Sequence, residues 1–69
     1  MYKWRIKFFM KNGDVFEGFY EGPENNSSDV ANKNCTGDPK NFTGIFGEDR
    51  THNLFVKLGE IQAYDISVY

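Results

Sequence analysis

The chain has 69 residues, with eight Lys plus Arg against ten Asp plus Glu and a formal net charge of −2; its isoelectric point is near 5.2. That length allows a single domain over residues 1–69 with a modest core, and the acidic balance argues against a dedicated nucleic-acid binder, whose affinity rests on excess positive charge meeting phosphates. One cysteine, Cys35, excludes an intrachain disulfide and fits a reducing, cytoplasmic setting, and no apolar run approaches the roughly 18 residues a membrane span needs.

A core for so short a chain has to be dense, and one Trp, four Tyr and seven Phe supply it, each able to bury roughly 150–250 Å². The first run alternates, with Tyr2, Trp4, Ile6, Phe8 and Met10 on one side and Lys3, Arg5, Lys7 and Lys11 on the other, the pattern of a half-buried strand. The charges interleaved through this opening stretch do not read as a secretion signal. A second strand returns to Glu21, and the turn between the two sets their register, because a slip of one residue sends every side chain to the opposite face. A two-residue Asn12-Gly13 turn would set Phe8 against Glu17 and Lys7 against Gly18. A three-residue Lys11-Asn12-Gly13 loop, with Gly13 in the left-handed position of a bulge, sets Phe8 against Phe16 and Trp4 against Tyr20 inside, with Lys7 against Glu17 and Lys3 against Glu21 outside. The second register satisfies both charges and both aromatics and is the one expected. It leaves Gly18 opposite Ile6 in mid-strand, where a missing side chain marks a bend or a close backbone approach.

Residues 22–41 change texture: Gly, Pro, Asn, Ser, Asp and Lys dominate, and only Val30, Ala31 and Cys35 are apolar. This reads as a long polar loop between strands 2 and 3, in which Ser28 could cap one helical turn over Asp29 to Asn32. Asp38-Pro39 reads as the turn that ends it. Alternation resumes with Phe42, Gly44 and Phe46 on one side and Thr43 and Ile45 on the other. Gly47-Glu48-Asp49-Arg50-Thr51 forms a polar turn, and His52 to Leu58 a fourth strand with Leu54, Val56 and Leu58 facing in. A short turn or bulge around Gly59 to Gln62 shifts the phase before Tyr64, Ile66 and Val68 set up a closing strand. The expected fold is all-β, a small five-stranded barrel closed by bending its long first hairpin at a glycine.

The order of an Asn-Gly-turned hairpin with a strand-two glycine, a variable insertion, a second hairpin and a short turn into a last strand resembles small SH3-like barrels, Sm-like ones included. Sm-like proteins carry a leading helix and an Arg-Gly pair before the last strand for holding RNA bases. Here the first strand begins at Tyr2, and Lys57-Leu58-Gly59 stands where that pair would be, so the RNA-binding ring is not carried over. In style the whole chain is similar to short proteins of phages and prophages in Gram-positive bacteria, a resemblance that implies an accessory or regulatory role.

Catalytic chemistry finds little to work with. His52 is the only histidine; with Ser67 or Cys35 it lacks any local signature of an activated nucleophile and reads as a solvated histidine at a turn edge. One Cys and one His fall short of a zinc site, and Glu48-Asp49 could hold a hard cation only if Glu60 or Asp65 joined them. Gly44 and Gly47 precede no phosphate-loop lysine, and no cofactor is implied.

The candidate binding residues lie on the outer side of the first hairpin. Lys3, Arg5 and Lys7 run along strand 1 with Phe9 beside them, and Phe19 and Val15 share that side on strand 2. Cations interleaved with exposed aromatics can track a nucleic-acid backbone and stack its bases. The competing reading makes Phe9 and Phe19 a second part of the core and lets Glu17 and Glu21 neutralise Lys7 and Lys3 as cross-strand pairs. The leading expectation is a noncatalytic module that binds another protein or a second copy of itself, for instance through the strand edge ending in Tyr69. The alternative is a nucleic-acid-binding barrel that uses Lys3, Arg5, Lys7, Phe9 and Phe19.

Overall fold

A computed structural model describes all 69 residues. The elements in order are β1 (Tyr2–Met10), β2 (Val15–Gly22), α1 (Ser27–Asn34), β3 (Phe42–Gly47), β4 (Asn53–Lys57), a 3₁₀ turn at Leu58–Glu60, and β5 (Ile61–Val68). All five strands are antiparallel in one sheet of order β4-β3-β2-β1-β5.

The first hairpin takes the expected register: Phe8 faces Phe16, Trp4 faces Tyr20, Lys7 faces Glu17, Lys3 faces Glu21 and Ile6 faces Gly18. Gly13 has φ +94°, and its N–H donates to Met10 O at 3.0 Å while Met10 N–H donates to Asp14 O at 2.8 Å. The three-residue loop with a left-handed glycine is therefore what closes it. Gly18 is the close approach its position suggested: a Cβ there would lie 2.3 Å from Phe46 O and 2.9 Å from Ile45 Cδ1. At this point β2 meets β3, through Gly18 opposite Gly47 and Phe19 opposite Phe46.

The inner face of β1, with Trp4, Ile6, Phe8 and Met10, forms the centre of the core together with Ile45 and Val56 from the second hairpin. Val30 and Cys35 complete it from the 22–41 segment. That segment is not the loop expected. Ser27–Asn34 forms two helical turns, one more than the single turn assigned to Ser28, and the cap is Asn26, whose side chain accepts from Asp29 N–H at 2.9 Å. The physical reason is burial: all three apolar residues of the segment are buried, Val30 completely. Trp4 Nε1–H donates to Glu24 O at 3.1 Å and the Tyr20 hydroxyl to the Glu24 carboxylate at 2.8 Å, which ties the start of the segment to the first hairpin. Burial and that bond push the Tyr20 hydroxyl up to about 12, and burial pushes the Cys35 thiol up to about 11. The Asp38-Pro39 turn forms, with Asn41 N–H donating to Asp38 O at 2.9 Å.

The all-β expectation of five antiparallel strands holds, but the sheet is open. β4 and β5 are its two edges and do not pair with each other. Instead α1 lies against β3 and β5, so a helix covers the core where the closure of a barrel would have done so. The inner side of β5 is consequently only partly covered: Ile66 is half-buried, while Tyr64 and Val68 are exposed. No helix is long and apolar enough to cross a membrane.

Candidate functional site

On the outer face of the first hairpin, strand alternation brings Lys3, Arg5 and Lys7 level with Glu21, Phe19 and Glu17. Arg5 Nη1 lies 2.8 Å from Glu17 Oε1 and 3.3 Å from Glu48 Oε1. Lys7 Nζ lies 3.9 Å from Glu17 Oε2, and Lys3 Nζ 4.0 Å from Glu21 Oε2. Each of the three cations has an acidic partner on the molecule itself. The hydrogen bond between Arg5 and Glu17 raises the guanidinium pKa and lowers that of the carboxyl, so both stay charged across the neutral range.

Phe19 does not present its ring for stacking. It is 6% exposed, packed against Phe46 with ring centroids 5.4 Å apart and 26° between planes, and against Tyr69 at 5.4 Å and 54°. The Arg50 guanidinium sits 4.9 Å from the Phe19 ring centre and donates from Nη2 to the Tyr69 hydroxyl at 2.6 Å. Of the two aromatics left open by the sequence, Phe19 is thus core. Phe9 remains 37% exposed, with Lys7 Nζ 5.8 Å from its ring centre. Lys3 and Arg5 gather with Phe19 around Tyr69, at 5.8 and 5.3 Å from that ring, while Lys7 and Phe9 lie farther along β1. A shallow cavity of about 270 Å³ opens among Arg5, Gly18, Phe19, Glu48 and Tyr69.

Sequence reasoning missed Phe46, Glu48, Arg50 and Tyr69 as members of this cluster. Continuing the β5 alternation past Ser67 would have put Tyr69 on this face, and its N–H does extend the ladder to Lys3 O at 3.1 Å. Nothing in the local pattern marks Arg50, which holds φ +60° in the β3–β4 turn. His52 is on the same turn, with Nδ1 2.8 Å from Asp49 Oδ1 and its side chain 58% exposed. No three His, Cys, Asp or Glu side chains come together in a metal-binding group, so Glu48 and Asp49 are not joined by Glu60 or Asp65.

The second hairpin presents a different surface. Phe46 is opposite Asn53, Gly44 opposite Phe55 and Phe42 opposite Lys57, and alternation puts these side chains on the outer face, because Thr43, Ile45 and Val56 are buried inside. Phe42 is 63% exposed, Phe46 46% and Phe55 66%. The Phe55 ring lies across Gly44, where a Cβ would come within 2.9 Å of it. Leu58 N–H bonds to Asn41 O and Gly47 N–H to His52 O. By the alternation of an antiparallel ladder, the N–H and C=O groups of Asn53, Phe55 and Lys57 therefore point away from β3, and no strand lies beyond them. The two acids of the turn are engaged, Glu48 by Arg5 and Asp49 by His52, whereas Arg50 and Lys57 form no ion pair. Backbone and side-chain hydrogen bonds from Thr51 lower the Asp49 pKa, with His52 adding to the effect.

No protein-family model, curated protein or solved structure matches the chain.

Proposed function

We propose that this protein is a noncatalytic interaction module that binds another protein through the outer face of its β3–β4 hairpin. The observation that carries this reading is the exposure of Phe42, Phe46 and Phe55 on one hairpin beside a strand edge with nothing paired to it. Clustered exposed aromatics at an open edge are a surface that association covers. The nucleic-acid alternative draws less support from the geometry, since Lys3, Arg5 and Lys7 already face acids and Phe19 is covered. An accessory or regulatory role of phage type belongs to the same proposal and rests on the resemblance of the sequence. So does the finer assignment to SH3-like barrels. It draws support from the strand order and from the 3₁₀ turn between β4 and β5.

The test is affinity capture from extracts of the cells that express the protein, with nuclease-treated and untreated arms. The wild type and a Lys3→Gln/Lys7→Gln variant should retain the same protein, and a Phe42→Ser/Phe55→Ser variant should lose it. Equal capture by all three would sink the assignment of the surface. Capture that disappears with nuclease, together with weak capture by the lysine variant, would restore the nucleic-acid reading.

A further inference from the structure

We infer that β5 is a self-association edge, at which two copies of the chain pair their β5 strands antiparallel about a two-fold axis at Ile66. The inference goes beyond the reading of the β3–β4 hairpin and does not depend on it. β5 is the longer of the two open edges, eight residues against five in β4. Tyr69 N–H donates to Lys3 O, so alternation turns the backbone groups of Ala63, Asp65, Ser67 and Tyr69 toward β1 and those of Tyr64, Ile66 and Val68 outward. No strand meets that outward row. The same residues carry their side chains on the inner face, paired with Phe8, Ile6 and Trp4, where Tyr64 is 43% and Val68 76% exposed.

A second copy fits this edge because the strand is complementary to itself in one register. With the axis at Ile66, that residue faces the partner's Ile66, and Tyr64 and Val68 face the partner's Val68 and the partner's Tyr64. These are the outward-pointing residues, so each pair exchanges both of its hydrogen bonds and each pair is apolar. On the other face Asp65 meets the partner's Ser67, a hydroxyl donor for a carboxylate, and symmetry repeats the contact. An axis at Asp65 would set two carboxylates face to face and Val68 against the partner's Gln62. An axis at Tyr64 would set Ile66 against the partner's Gln62, and one at Ser67 would set Asp65 against the partner's Tyr69 and give up the Tyr64–Val68 pair.

β4 does not serve as the opposite strand. Its outward backbone groups belong to Asn53, Phe55 and Lys57, whose side chains lie on the outer face, so antiparallel pairing with β5 would set the outer face of one copy beside the inner face of the other. Pairing β5 with β5 keeps both inner faces on one side. The seam also has room, because a shallow hollow of about 270 Å³ separates β5 from the first turns of α1, lined by Ser27, Ser28, Ala31, Tyr64, Asp65 and Ile66. The partner's Val68, opposite Tyr64, stands beside it. A single strand pair is smaller than the interface of a permanent dimer, so the association is reversible and depends on concentration.

The test is sedimentation and amide-resolved NMR on the full chain from about 20 μM to about 1 mM. Expected are a discrete monomer–dimer equilibrium and shifts with slowed hydrogen exchange at Tyr64, Ile66 and Val68. A mixture of labelled and unlabelled chains should show an intermolecular NOE between the Hα of Asp65 and that of the partner's Ser67. Ser67→Asp should weaken association by about tenfold, because it opposes carboxylates at both symmetric pairs, and Ser67→Lys should tighten it several-fold. Urea midpoints report whether each variant keeps its fold, and the NOE decides the register whether or not they do. Phe42→Ser/Phe55→Ser should dimerise like the wild type, which separates this result from the capture experiment.

A monomer at every concentration would overturn the proposal, as would a dimer that lacks the NOE or ignores both changes at Ser67. Mass that keeps rising with concentration, with Asn53, Phe55 and Lys57 shifting beside β5, would mean head-to-tail growth and overturn it as well. Shifts at those β4 amides alone would move self-association to the other edge, with the same result.

Discussion

The two hairpins use the same kind of sequence, aromatics alternating with charges over a short turn, and distribute it in opposite ways. In β1–β2 the aromatics Trp4 and Phe8 point inward, and Lys3, Arg5 and Lys7 outside each pair with an acid of the same hairpin. In β3–β4 the inward positions are filled by Thr43, Ile45, Leu54 and Val56, and the phenylalanines are outside. The first hairpin is flanked on both sides by strands, and the second forms an edge. The first hairpin has both strand edges and its outward cations partnered within the fold, and of its apolar side chains it leaves Tyr2, Phe9, Val15 and Phe16 exposed. The second leaves both apolar rings and the backbone groups of one edge without a partner.

The largest expected effect breaks the comparison most directly. Phe8 is fully buried at the centre of the sheet, and Phe8→Ala should cost roughly 3–5 kcal/mol. Phe55→Ser, which removes a ring of the same size from the second hairpin, should change stability by no more than about 0.5 kcal/mol. Urea denaturation of both variants checks this. A large loss at Phe55 would make the second hairpin part of the core and remove the ground for treating its face as a binding surface.

A smaller contrast concerns two glycines. A methyl group at Gly18 would meet the Phe46 carbonyl at 2.3 Å, a backbone atom that can give way only if β2 and β3 separate. At Gly44 the nearest atoms belong to the Phe55 ring, which can swing into solvent. Gly18→Ala should therefore cost about 2–3 kcal/mol and Gly44→Ala less than 1 kcal/mol. If the two cost the same, as read from urea midpoints, the close approach of β2 and β3 is not where the sheet is tightest.

Much of the first hairpin was legible because its determinants are local. Lys11-Asn12-Gly13 fixes the turn, and two charges and two aromatics then reject every register but one. The phase break at Gly59 was legible for the same reason, and it appears as the Leu58–Glu60 turn. Helix α1 was not, because four buried positions, Val30, Ala31, Asn34 and Cys35, give too short a period to stand out from twenty polar residues. The cluster at Tyr69 was illegible for a different reason. Arg5 reaches Glu48 across 43 residues and Arg50 reaches Tyr69 across 19, and only the fold brings such partners together. Closure was overestimated because a strand pattern shows which way side chains point and not which edges meet.

The smallest effects separate the charges of the two hairpins. Glu17 and Asp49 both have lowered pKa values, so each contributes stability that is present above the ordinary carboxylate range and lost as pH falls through its lowered folded value. Between pH 5 and acid, both Glu17→Gln and Asp49→Asn should therefore flatten the decline in the urea midpoint. Their causes differ, and salt should tell them apart. Glu17 owes its shift first to an exposed Arg5 side chain, an interaction that about 1 M salt screens. Asp49 owes its shift first to the Thr51 backbone N–H, a hydrogen bond at 3.0 Å within one turn, which salt leaves largely intact. At high salt the Glu17→Gln difference should shrink and the Asp49→Asn difference persist. Equal shrinkage would mean that the second turn is held first by the contact of Asp49 with His52, 2.8 Å apart, and not by the Thr51 hydrogen bond, and the contrast between the two carboxylates would be gone.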